Sequence, residues 1–124
     1  MYRCALLALA LCAPSYAAAQ VQRNFPQNAL RGELTVGMPP EVLVNGRPGR
    51  LAPGARVRGP DNMIVMSGAI AGQRHTAHYT LDTLGLVKDV WLLRADETDR
   101  FWPKSDAEAT RFTFDPVAQT WTKP

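Results

Sequence analysis

Hydrophobic and polar positions alternate with a period of two along much of this chain. Leu30, Gly32, Leu34 and Val36 fall on one side and Arg31, Glu33 and Thr35 on the other, the pattern of a half-buried strand. Gly37-Met38-Pro39-Pro40 ends it, because proline cannot donate to a strand ladder. Glu41–Val44 is a second short strand. Asn45-Gly46 closes it, since both residues suit the positive φ angles of a type I′ hairpin. Pro48, Pro53 and Gly54 interrupt the next stretch, so Arg50-Leu51 reads as an irregular or edge segment. Ala55–Arg58 then reads as a separate short strand with both arginines on one face. After a Gly59–Asn62 turn, Met63–Met66 is apolar on both faces and predicts a central strand, and Gly68–Gly72 a bulge or tight corner.

His75 to Asp82 alternates cleanly, Asp82-Thr83-Leu84-Gly85 suits a type I turn, and Leu86–Leu93 returns as a strand. The register of this hairpin is ambiguous, because Lys88 and Asp89 place one charge on each face. Ala95–Arg100 reads as a loop or helical turn. Ser105-Asp106-Ala107-Glu108 is a capping box that opens a short helix to about Arg111. Short strands with frequent turns predict a mostly β domain. The expected fold is a small antiparallel barrel or sandwich of five to six strands, OB-like being one option, with a short C-terminal helix.

The N-terminus changes the picture. Arg3, the apolar run from Cys4 to Ala13 and the small residues Ala17-Ala18-Ala19 form a secretory signal pattern, with cleavage expected after Ala19. Residues 20–30 then form an extended arm pinned at Phe25. Residues 31–124 form one β domain whose C-terminal helix and aromatic tail occupy about 104–124. Leu9-Ala10-Leu11-Cys12 raises lipidation of Cys12 as an alternative, against which Leu11 is bulky where a small residue is wanted. The expected destination is the periplasm, with secretion as the alternative, and no transmembrane segment is expected in the mature chain. Both cysteines fall in the signal, so the mature domain depends on its hydrophobic core.

Charge is unevenly spread. From Gln20 to Thr80 seven arginines face three carboxylates, whereas from Leu81 onward six basic residues face eight acidic ones. Arg47, Arg50, Arg56, Arg58 and Arg74 are the candidate binding residues, for an anionic envelope component or an acidic partner protein. No Phe, Tyr or Trp is interleaved between Asn45 and Arg74, so nucleic acid is not the expected partner. The alternative patch is aromatic: Trp102, Phe112, Phe114 and Trp121 as a ligand surface, or as cover for an open sheet face.

Candidate chemistry is thin. His75 and His78 lie three apart on one strand, so their rings point to opposite faces. His78 and Asp82 share a face but sit roughly 13 Å apart along a strand, beyond hydrogen-bond reach. No catalytic residue, metal ligand set or cofactor is assigned. The expected function is a non-enzymatic binding domain. The alternatives are an envelope hydrolase or metal-dependent enzyme, and an envelope assembly or stress-response scaffold.

Strand 31–36, the Asn45-Gly46 turn, Leu51-Ala52-Pro53-Gly54-Ala55-Arg56 and Tyr79 to Leu93 together resemble a group of small exported proteins of Gram-negative bacteria. That resemblance carries over no activity, ligand or site. Gly68-x-Ile70, followed by Tyr79, Asp82, Gly85 and a hydrophobic return strand, is similar to the middle hairpin of periplasmic OB-fold stress proteins. It implies a five-stranded barrel.

Overall fold

The computed structural model describes residues 22–123, so the predicted signal segment lies outside the described residues. Among the described residues there are seven strands: β1 (Leu30–Val36), β2 (Glu41–Val44), β3 (Arg47–Arg58), β4 (Arg74–Leu81), β5 (Val87–Leu92), β6 (Thr113–Asp115) and β7 (Thr120–Thr122). Two one-turn helices, α1 (Ala95–Thr98) and α2 (Asp106–Ala109), lie between β5 and β6.

The first five strands close into a barrel in the order β1-β2-β3-β5-β4, with β1 pairing back onto β4. This is an OB-like arrangement. Closure leaves the barrel strands no unpaired edge. The barrel is not wholly antiparallel as expected, because β3 and β5 run parallel. The β4–β5 hairpin enters with β5 beside β3, and a hairpin placed that way sets the direction of β5 along β3. A separate hairpin, β6–β7, occupies the tail, where the sequence pattern predicts no strand.

The turns follow their residues. Asn45 and Gly46 take φ 53° and 80°, and they fix Val44 opposite Arg47. At the β4–β5 turn, Oδ1 of Asp82 accepts from the N–H groups of Leu84 and Leu86, both at 2.9 Å, and Gly85 takes φ 79°. The ambiguous register is resolved by a bulge. Thr80 faces Asp89 and Leu81 faces Val87, so Lys88 is the extra residue. That insertion lets Val87 and Val90, three apart, both point into the barrel.

One expected element is absent. Met63–Met66 is not a strand: only Ile64 makes an isolated bridge, to Arg58, and Met63, Ile64 and Met66 are exposed. With β3 already between β2 and β5, and β4 between β5 and β1, the closed sheet has no place for another strand. The Gly68–Gly72 segment starts within a 3₁₀ turn, Ser67–Ile70, whose Ile70 reaches the core. Nor do prolines break β3, which runs twelve residues without interruption. Pro48 pairs with Leu43, one step from the turn-closing pair, where an antiparallel ladder asks no N–H from it. Pro53 and Gly54 fall in the register shift between Leu51 and Arg56.

The core is double. Inside the barrel, residues including Leu34, Val36, Val42, Ala77, Tyr79, Val90 and Leu92 pack together. Outside it, Phe25 and Ala29 of the arm join Trp91 and Trp102 on the outward face of β4 and β5, with Phe114 and Trp121 packed against them. Phe25 pins the arm as expected. Ser105 caps α2, its hydroxyl accepting from the Glu108 N–H at 3.1 Å, and the helix ends at Ala109 rather than near Arg111.

Candidate functional site

The outer core carries a polar clasp that the arm locks. Arg23, buried, donates to both carboxylate oxygens of Glu97, to the carbonyl of Gly59 at 2.9 Å and to that of Leu92 at 2.8 Å. One guanidinium thus ties the arm to the ends of β3 and β5 and to α1. Glu97 also caps its own helix, Oε1 accepting from the Arg94 N–H at 2.9 Å. From β1, Arg31 donates to the carbonyls of Glu97 and Thr98, at 2.9 and 3.1 Å, and to Nε2 of His78 at 3.3 Å.

His78 is the outward-facing residue of the histidine pair, while His75 bonds Gln73 near the surface. The imidazole of His78 is edge-on to Phe25 at 4.4 Å and tilted over Trp102 at 4.5 Å. Burial, with the charges of Arg31 and Arg23, pushes its pKa down to about 3, so the ring is neutral at physiological pH. With Nε2 accepting, its proton sits on Nδ1, which finds no partner among the described residues. Arg23, Arg31, Arg94, Arg100, Asp96 and Glu97 line a cleft of about 70 Å³ beside this ring. None of the four arginines stands out as a site residue in the sequence, because they come from the arm, β1 and the two ends of α1.

The five arginines expected to bind do not gather. Arg74 pairs with Glu33. Arg56 stands opposite Asp89 on the outer face of β3, and Arg58 lies over the Trp91 ring at 5.9 Å. Arg47 and Arg50 are exposed at the other end of β3, where Arg50 faces Glu41 across the ladder. The aromatic patch serves mainly as cover: Trp102 is buried, its indole donating to the Ala29 carbonyl at 2.7 Å, and Phe114 stacks tilted on Trp121 at 4.7 Å. Phe112 lies half-buried against Phe101. Among the described residues no group of three His, Cys, Asp or Glu side chains gathers.

A broader feature runs along β2 and β3. One groove of about 530 Å³ is lined by Gly37, Val42, Leu43, Pro48, Gly49 and Arg50, with Thr35 and Glu41. A second, of about 460 Å³, is lined by Pro40, Arg50, Leu51, Ala52, Pro53 and Leu86. Arg50 belongs to both, between the β1–β2 loop and the β4–β5 loop. Met38 and Leu84, on those loops, are 82% and 81% exposed. The walls are largely apolar, and Arg50 and Glu41 are the charges. Comparison of the chain with family models, curated proteins and solved structures found no match.

Proposed function

We propose that the mature chain is an exported, non-enzymatic binding domain, periplasmic or secreted, that holds an anionic envelope component along the β2–β3 surface. The observation that supports this most directly is the position of Arg50, shared by two adjoining grooves with mainly apolar walls. A guanidinium on a partly dried surface forms stronger charge-assisted hydrogen bonds than one in open water. Barrels of this connectivity take extended ligands on the faces of strands 2 and 3, beside these two loops. That support is an analogy of fold, and the named residues have to carry the function. Arg47 adds charge next to the turn, and Glu41 favours ligands whose anionic groups are spaced rather than continuous.

Sedimentation of the mature protein with phosphatidylglycerol vesicles and with envelope extract tests this reading. Binding should weaken with salt, and Arg50→Glu should reduce it about tenfold or more, while Arg56→Glu should leave it within a factor of about two. Equal binding by the Arg50→Glu variant sinks the groove reading. Capture of an acidic envelope protein without lipid binding, lost in Arg50→Glu, would assign the groove to a protein partner instead.

A further inference from the structure

The cleft under the arm holds more positive charge than its own carboxylates cancel. Four guanidinium groups, those of Arg23, Arg31, Arg94 and Arg100, line it against the carboxylates of Asp96 and Glu97. The carboxylates are already committed: Glu97 pairs with Arg23 and, at 3.6 Å, with Arg94, and Asp96 pairs with Arg94. Arg31 is left with two carbonyl oxygens and a neutral imidazole nitrogen, and among the described residues no carboxylate pairs with it. Burial therefore outweighs the attraction of Glu97 and lowers the Arg31 pKa from the usual arginine value. Arg100, at the far end of α1, makes no side-chain hydrogen bond or ion pair among the described residues and acts on Asp96 only through space.

We propose that this cleft binds a compact, doubly charged oxyanion of the phosphate type, held between Arg31 and Arg100. The size fits. About 70 Å³ is room for a few water molecules or one small polyatomic anion. Charge fits as well, since a dianion cancels the excess of two cations. Guanidinium forks match tetrahedral oxyanions in geometry, and Phe25 and Trp102 line the same cleft with low-dielectric walls that strengthen the interaction. The anion would supply the negative partner that Arg31 lacks. Two sources share this chemistry: free inorganic phosphate, and a phosphate monoester at the end of a larger molecule whose body stays outside. The site is separate from the β2–β3 grooves and does not rest on them.

Titration of the full mature protein with inorganic phosphate, at ionic strength held constant with chloride, tests the assignment. The indole N–H resonance of Trp102 should shift saturably, and thermal stability should rise with phosphate as ligand linkage requires. Arg100→Gln should weaken phosphate binding about tenfold or more while leaving the phosphate-free melting temperature nearly unchanged. Arg31→Lys keeps the charge, loses the fork and should weaken binding comparably. Glycerol phosphate in a parallel titration separates the sources: equal affinity points to the free anion, and tighter binding to the monoester. Three results would overturn the proposal: no saturable shift beyond that produced by chloride, phosphate affinity unchanged in both variants, or acetate binding as tightly as phosphate.

Discussion

Arg23 shows how one side chain can hold three elements at once. Its guanidinium is buried, and its partners are a carboxylate and two strand-end carbonyls. Arg23→Ala would take a donor from each carbonyl and remove the main partner of a buried carboxylate, so a loss of about 3–5 kcal/mol is expected in urea denaturation. Adding Glu97→Gln should cost less than the sum of the two single changes, because the pair is coupled. The neighbouring His78 makes a separate prediction through pH. Its pKa in the folded chain is about 3, against 6.5 for the free side chain. Between those values the unfolded chain takes up a proton that the folded chain refuses, so folding stability falls as pH drops through that window. The full effect is on the order of 5 kcal/mol, and about 3 kcal/mol of it is felt between pH 7 and pH 4.5. A His78→Phe variant, ringed by the same aromatics, should lose about that much of the pH dependence when both proteins are denatured at the two pH values. Equal slopes would mean that His78 titrates normally. Neither residue announces itself in the sequence. Arg23 sits in a stretch without periodicity, and the outward face of His78 becomes an interior only because arm and tail cover it.

At the scale of elements, the sequence is most legible where backbone chemistry is local. Asn45-Gly46 and Asp82–Gly85 each follow from a few residues and are found as read, and of the box at Ser105 the hydroxyl half is found. Where the outcome depends on strands far apart, local reading fails. Met63–Met66 has the composition of a central strand, but the closed barrel offers no slot, and the segment stays at the surface. Pro48 and Pro53 look like breaks while their ladder partners are unknown, and both occupy positions that need no N–H. The bulge at Lys88 falls between these cases: two charges in succession signal an irregularity without saying which residue is extra. This leads to a test. Deleting Lys88 restores a regular pairing and turns either Val87 or Val90 out of the barrel, a core loss of several kcal/mol that should abolish cooperative thermal unfolding. Lys88→Ala, which keeps the bulge and changes only an exposed side chain, should stay within about 0.5 kcal/mol of the parent.

For the molecule as a whole, the question is whether the barrel is the domain and the rest ornament, or whether the two cores depend on each other. The inner core is enclosed by the barrel strands and capped from the β3–β4 connection by Ile70. The outer core is built on the backs of those strands, with Phe25 edge-on to His78, Trp91 and Trp102, and with Trp121 edge-on to Trp102. Without the arm, His78, Trp91 and Trp102 would face water on one side, and Glu97 would lose Arg23. Removing a core phenylalanine costs about 3–5 kcal/mol, and breaking a buried ion pair costs a similar amount. Even with partial overlap, the total rivals the roughly 5–15 kcal/mol that holds a domain of this size together. A chain beginning at Ala29 is therefore expected to melt on the order of 20 °C below one beginning at Gln20, or not to fold. The three tryptophans all report on the outer core, so tryptophan emission and far-UV circular dichroism should change together in the longer chain. If the shortened chain instead melts within a few degrees of the longer one, the barrel stands alone, and the clasp around Arg23 holds the arm in place without stabilising the barrel.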